Sequence, residues 1–279
     1  MDEFLAWLEK YDLLIVDEAH RLRRRKNLTQ YGTFDENNRK MNLWQERTIL
    51  MFGDESVQKL AKSNVLVVGV GGVGAYAAEM LVRAGVGHLT LVDADVVSDT
   101  NRNRQLIALT STVGRAKVDV LAERLLDINP DVKLRLIHEY LRDERTIEVL
   151  ESEPYDYVID AIDTLAPKVY LLHQAVERNI PIASSMGSGG KLDPTQVKID
   201  DISKSDYCKL ARMVRKRLHK LGVRKGITVV YSAEVVDRER IEITEGEQNK
   251  KSNVGTVSYM PAVFGCCLAS HVIRQLTQQ

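Results

Sequence analysis

Val65-Leu-Val-Val-Gly69-Val-Gly71-Gly72-Val-Gly74 is an apolar run that empties into a glycine-rich turn, with a helical pattern over Gly72–Ala84 behind it. A short run of branched apolar residues closed by glycine reads as a buried parallel strand, here ending at Val68. Gly69, Gly71, Gly72 and Gly74 then let the backbone approach a ligand phosphate, and the next helix offers its unpaired N-terminal N–H groups to negative charge. Asp93 follows about twenty residues further on, at the end of the next apolar run, where a carboxylate can accept hydrogen bonds from ribose hydroxyls. The stretch is a nucleotide-binding loop. By itself it leaves the nucleotide open, because dehydrogenases, methyltransferases and ATP-using enzymes share it.

Outward from the loop, the chain alternates between two periods. Apolar runs at Val65–Val68, Leu89–Val92, Leu134–Ile137, Tyr157–Ile159 and Ile180–Ala183 read as strands. Between them, amphipathic patterns at Gly72–Ala84, Val113–Ile128, Thr146–Ser152 and Pro167–Asn179 read as helices. Strand and helix in this order imply right-handed crossovers. The expected fold is α/β, a Rossmann-like, doubly wound and mainly parallel sheet that binds ligands at the carboxyl ends of its strands. After Gly190 the rhythm changes, and Val197–Ile199, Thr228–Tyr231 and Thr256–Ser258 are expected to be antiparallel C-terminal additions. The polar stretch Glu245–Asn253 between the last two reads as a mobile loop.

The 279 residues, 44% hydrophobic and 28% charged, suit one sizeable α/β domain with decoration. Formal net charge is zero, so any nucleic-acid surface must be a local patch. Cys208, Cys266 and Cys267 form no CxxC pair, zinc spacing or disulfide framework, which suits a reducing cytoplasmic compartment. The start MDEFLAWLEKYD lacks the basic and apolar regions of a signal peptide. The stretch VGTVSYMPAVFGCCLASHVI carries no charge, yet Gly255, Pro261, Gly265, His271 and several hydroxyls argue for a buried helix rather than a membrane span. Cys266 and Cys267 are expected in the core of that helix.

Residues 1–40 do not match the rest. Asp12-Leu-Leu-Ile-Val-Asp-Glu-Ala-His20 resembles the magnesium-binding strand of an unrelated P-loop ATPase or helicase, but no GxxxxGK[ST] loop exists to bring it a phosphate-bound metal. We read 1–40 as an atypical extension without activity and Met41 as the start of the working chain. That leaves one working domain at 41–279, with its nucleotide-binding part at 60–190 and a crossover and C-terminal part at 191–279.

The neighbours of the loop select the chemistry. Thr100-Asn-Arg-Asn-Arg-Gln105 crowds two guanidinium groups and three amides just past the ribose-binding strand, and a planar guanidinium fork matches phosphate oxygens. Lys117, early in the next helix, could reach back to the same phosphates. Asp160-Ala-Ile-Asp163 ends the fourth strand, with Asp163 placed to hold magnesium across phosphates and Asp160 to orient the loop.

Taken in order, Arg47, the Gly69–Gly74 loop, Asp93, the Thr100–Arg104 block, Lys117 and Asp163 resemble the adenylating superfamily of ubiquitin-activating enzymes and bacterial activators of sulfur-carrier proteins. The resemblance runs from about Asn42 to the C-terminus. It implies ATP and magnesium as cofactors, with Asp93 and Asp95 on the nucleoside, Asn101, Arg104 and Lys117 on the phosphates, and Asp163 on the metal. It also implies that Arg47 acts on the γ-phosphate from the partner subunit of a homodimer. Arg47, Arg104, Lys117 and Asp163 are thereby the expected catalytic residues.

The two structural CxxC pairs common among sulfur-carrier activators are absent here. Instead Ser185-Met-Gly-Ser-Gly-Gly-Lys-Leu-Asp-Pro-Thr195, Ser203-Lys-Ser-Asp206 and Val229–Glu234 resemble the branch that dehydrates threonylcarbamoyladenosine in tRNA. That branch implies adenylation of the threonyl carboxylate followed by ring closure. The alternative is activation of the C-terminus of a ubiquitin-like or sulfur-carrier protein, in which Cys208 is the better placed thiol. A monovalent cation beside the loops and a sulfur-relay or cysteine desulfurase partner stay open.

The chain from Lys209 to Lys225 holds basic residues and no acid, with Leu210, Val214, Leu218 and Leu221 at helical spacing. A helix with one apolar and one basic face suits phosphate contacts with tRNA, and Arg212, Arg215 and Lys216 are the candidates.

Overall fold

The computed structural model describes residues 43–237, 241–242 and 253–278. The readings placed on residues 1–40 and on 245–252 lie outside them. The chain divides into two units, Met1–Arg47 and Thr48–Gln279, with the boundary inside helix α1 (Glu46–Phe52).

In the larger unit, α2 (Asp54–Lys62) leads into β1 (Asn64–Val68), the glycine loop and α3 (Gly74–Ala84). Then come β2 (His88–Val92), α4 (Lys117–Ile128), β3 (Lys133–Ile137), α5 (Asp143–Glu151), β4 (Tyr157–Asp160), α6 (Leu165–Glu177) and β5 (Ile182–Ser185). The strands fall within about two residues of their sequence-based bounds. The helices start later than expected at Gly74 and Lys117, because the preceding residues are spent on the phosphate-type turn and on an isolated bridge between Val96 and Ala116.

Seven strands order as β3-β2-β1-β4-β5-β7-β6, where β6 is Val197–Asp201 and β7 is Thr228–Ser232. The chain winds from β1 out to β3 and then crosses to β4, so the direction of winding reverses between β1 and β4. In such sheets the crevice at the carboxyl ends of these two strands is the ligand site.

The antiparallel addition expected after Gly190 is present, with β6 pairing antiparallel to β7, while β7 also runs parallel to β5. Two expectations are corrected. Thr256–Ser258 is not a strand; Asn253–Val254 (β9) pairs with Ile241–Glu242 (β8) instead, so Asn253 is not part of a loop. The basic helix α7 (Lys209–Lys220) ends before Leu221, which is exposed, while Cys208, Ala211, Val214 and Leu218 form its buried stripe.

The sheet separates two apolar clusters. On one side Leu81 of α3 and Leu121 of α4 pack with Phe264 and Leu268 of the C-terminal helix α8 (Tyr259–Thr277). On the other, Val149 of α5, Leu171 of α6 and Val214 of α7 cover β1, β4 and β5. Among the described residues no helix is long and apolar enough to cross a membrane. α8 instead lies along α3. A β-carbon at Gly265 would stand 2.8 Å from that of Tyr76 and 3.1 Å from the Ala77 nitrogen, so the bare α-carbon permits this close crossing. The core placement expected for both helix thiols fails for Cys266, which faces outward, while Cys267 is half-buried. Adjacent residues on a helix point about 100° apart, so both could not enter the core.

Candidate nucleotide-binding site

Gly69 adopts φ +87°, and a β-carbon there would lie 2.8 Å from the Ala161 carbonyl oxygen at the end of β4. Only glycine lets the β1 and β4 exits approach this closely. Gly69 N–H donates to Val92 O at 2.7 Å and Ala161 N–H to Val68 O at 2.8 Å, which ties the exits of β1, β2 and β4 into one rim. Gly74 opens α3, whose N-terminal groups therefore meet this rim. Gly71 and Gly72 lie between, under Gln105 and Pro261 respectively.

Asp93 continues β2. Its Oδ2 accepts from Val70 N–H and its Oδ1 from Asp95 N–H, both at 2.8 Å. Burial raises its pKa, against the opposing influence of Lys117 and the two backbone donors. A carboxylate held by two N–H groups presents its remaining lone pairs in a fixed direction, as ribose recognition needs.

Lys117 is buried along its stem and its ammonium donates to Asp95 Oδ2 at 2.7 Å, while its own N–H donates to Asp95 O at 3.0 Å. Asp95 thus sits on Lys117 and couples the phosphate candidate to the ribose candidate. Asn101 Oδ1 accepts from Ser98 N–H at 3.1 Å and closes the turn that carries Arg104. Arg104 Nη1 donates to Thr100 O at 3.0 Å and to Asn103 Oδ1 at 2.9 Å, and Asn103 Nδ2 donates to Thr256 O at 3.0 Å. Arg102 is engaged with Asp99 at 2.7 Å. Arg47 is exposed on α1.

Asp163 is exposed on the loop between β4 and α6. Beneath it, fully buried Asp160 accepts from Lys168 Nζ at 2.6 Å, Ser184 Oγ at 2.5 Å and Ile162 N–H at 3.0 Å. These three donors fix the loop that presents Asp163. Lys168 and Ser184 escape a sequence reading because each sits in an apolar pattern on a different element. Two further residues emerge only in three dimensions. Gln105 Oε1 is buried without a hydrogen-bond partner among the described residues, beside Gly71. Lys191, at the end of the Gly187–Gly190 loop, is buried and donates to the carbonyl oxygens of Ser232, at 3.3 Å, and Glu234. Burial pushes its amine downward.

Of the tRNA candidates, Arg212 and Lys216 are exposed on α7. Arg215 is half-buried, and its Nη1 donates to Ser205 Oγ at 2.6 Å and to the Ser205 and Ile202 carbonyls. It clamps the turn before the helix. Cys208 is buried, its Sγ accepting from Ala211 N–H at 3.5 Å as the cap of α7. Burial raises the half-buried Cys267 thiol, which opposes thiolate formation.

A glycine loop at the switch point, Asp93 after β2, Lys117 held on Asp95, the turn that carries Arg104 and Asp163 on the loop after β4 are groups from which a site for a nucleoside triphosphate could be built. Residues 45–279 match the ThiF family, and the chain belongs to it. Among its relatives is tRNA threonylcarbamoyladenosine dehydratase of Bacillus subtilis, 41% identical over 237 residues that cover 82% of this chain and 93% of that protein. The crystal structure of the Escherichia coli tRNA N6-threonylcarbamoyladenosine dehydratase TcdA in complex with ATP superposes with a TM-score of 0.77 at 34% identity. It covers 85% of this chain and 96% of that one. Similarity to the adenylyltransferase and sulfurtransferase MOCS3 of Culex quinquefasciatus, 38% over 140 residues, covers half of this chain and 31% of that protein.

Proposed function

We propose that the chain is an ATP-dependent tRNA threonylcarbamoyladenosine dehydratase. The observation that carries this reading is similarity along nearly the whole length of the Bacillus subtilis dehydratase, where similarity to the adenylyltransferase and sulfurtransferase MOCS3 extends over half the chain. The alternative, activation of a ubiquitin-like or sulfur-carrier protein, is also disfavoured by a Cys208 thiol that is buried and spent as a helix cap.

ATP lies with its phosphates over the Gly69–Gly74 loop and its ribose at Asp93. The unpartnered Gln105 Oε1 fits a site completed by a hydrogen-bond donor of the nucleoside, such as a ribose hydroxyl, since phosphate oxygens only accept. Lys117, relayed by Asp95, and Arg104, on the turn held by Asn101, neutralise phosphate charge. Arg47 comes from the partner subunit of a homodimer.

Magnesium would fit at Asp163, a carboxylate exposed on the loop after β4, because this ion is commonly held by one or two carboxylates plus substrate phosphates. Asp163 would hold the ion, which supplies charge neutralisation at the phosphates.

The substrate carboxylate attacks the α-phosphorus and pyrophosphate leaves. The neighbouring carbamoyl nitrogen then closes on the activated carbonyl, losing its proton and expelling AMP. Both reacting groups belong to one nucleoside, so ring closure is intramolecular and gains from proximity. Oriented N–H groups and cations stabilise the charge that develops on phosphate. A protein nucleophile is unnecessary.

Incubation with ATP, magnesium and threonylcarbamoyladenosine-containing tRNA, followed by digestion and mass spectrometry of the nucleosides, is expected to show loss of one water from the modified adenosine. ATP–pyrophosphate exchange driven by a protein ending in Gly-Gly, with the nucleoside unchanged, would favour the alternative.

The basic face of α7 binds tRNA phosphates. Arg212→Glu with Lys216→Glu is expected to weaken tRNA binding at every salt concentration and to reduce the slope of log affinity against log salt by about 2. An unchanged slope removes the helix from the interface. Arg215 is unsuited to this test, because its loss releases the turn at Ile202–Ser205.

A further inference from the structure

Tyr207 is 70% exposed, the most open aromatic ring among the large hydrophobic side chains described, and it stands directly before the cap of the basic helix α7. Its backbone adopts φ +54°, a left-handed conformation uncommon for a bulky residue. Its surroundings give the ring a location. The adjacent Cys208 is buried, and its Sγ would lie 3.8 Å from a β-carbon at Gly187, as would the Leu210 β-carbon. Gly187 is two residues past the end of β5, and β5 runs parallel to β4 and, through it, to β1. Tyr207 therefore belongs to the sheet edge where the Gly69 and Asp163 loops emerge. From the same point α7 presents Lys209, Arg212, Lys216 and Arg217 to solvent without an acidic residue among them.

An exposed flat ring at the head of a cationic helix is the combination with which proteins hold unpaired RNA, the cations tracking phosphates and the ring stacking on a base. We propose that Tyr207 is a stacking platform for an unpaired nucleobase beside the target adenosine of the tRNA substrate. This rests on the dehydratase reading above. Stacking holds the loop while the modified nucleoside enters the site, so Tyr207 contributes to tRNA binding and positioning and takes no part in the chemical step. A polar rather than an apolar occupant follows from the flanking charge, which a protein partner with an apolar anchor would leave unpaired.

The test compares Tyr207→Asn, Tyr207→Phe and Tyr207→Trp with the wild-type protein on threonylcarbamoyladenosine-containing tRNA. Asparagine tolerates the left-handed backbone and removes the ring, so a loss belongs to the ring and not to the turn. Tyr207→Asn is expected to raise KM and Kd for tRNA about tenfold or more, with kcat and the salt slope kept, while the Phe and Trp variants stay within about twofold of wild type. A 2-aminopurine placed next to the target adenosine should be quenched on binding the wild-type protein and not on binding Tyr207→Asn. If wild type dehydrates the tRNA and Tyr207→Asn binds it equally well, the platform is wrong and the enzyme assignment stands. Equal losses in the Phe and Asn variants also overturn it, because the hydroxyl and not the ring would then matter. If wild type neither binds nor alters the modified tRNA, the dehydratase reading falls, and the platform with it.

Discussion

Asp163→Ala is expected to lower tRNA-dependent pyrophosphate release by about 10³-fold or more, the scale seen when an electrostatic stabiliser of the transition state is removed. The reasoning begins with position. Asp163 is exposed on the loop after β4, next to the strand whose exit bears the glycine loop, and a magnesium ion shared with phosphates needs a carboxylate there. Because the side chain is exposed, stability should change by no more than about 0.5 kcal/mol. An activity loss with an unchanged melting temperature thus separates metal holding from folding. Release that persists in Asp163→Ala with excess chelator would falsify the assignment.

The second large effect falls on stability. Lys168 and Asp160 are both fully buried and joined at 2.6 Å, so Lys168→Met leaves a carboxylate in the core with only Ser184 and Ile162 as donors. Breaking a buried ion pair from one side costs about 3–5 kcal/mol. In a domain of this size that lowers the melting temperature by roughly 10 °C. The double change Asp160→Asn with Lys168→Met removes both charges and is expected to recover at least half of the loss. Thermal melts of the single and double variants give the coupling directly, and additive losses would show that the pair is not a unit. Activity should fall in Lys168→Met even below its melting temperature, since the Asp163 loop hangs on Asp160.

The parallel core of the fold was legible in Val65–Val68, Leu89–Val92 and Tyr157–Ile159, because strands covered on both faces must be continuous apolar runs. The glycine loop was legible for the same kind of reason: backbone approach to a phosphate requires glycine at fixed spacing. The C-terminal part was harder. Thr256–Ser258 carries a strand-like composition but directly precedes α8, and Asn253–Val254 and Ile241–Glu242 are strands of two residues each, too short to show a period. β7 pairs antiparallel with β6 as read, but its parallel pairing with β5 follows from a place between β5 and β6 that nothing local encodes.

The sequence by itself determined the alternation of strand and helix, the position of the nucleotide loop and the types of residue at its rim. These follow from local periods and from backbone chemistry carried within a few residues. Only the tertiary structure decided which groups share an environment: that Asp95 holds Lys117, that Lys168 and Ser184 hold Asp160, and that Arg215 is a clamp where Arg212 and Lys216 are free to meet phosphate. It also turned Cys266 outward and stood Tyr207 in solvent beside the basic helix. The physical reason is that burial and pairing depend on contacts between residues far apart in the chain. The glycine loop could therefore be read one residue at a time, and the network around it could not.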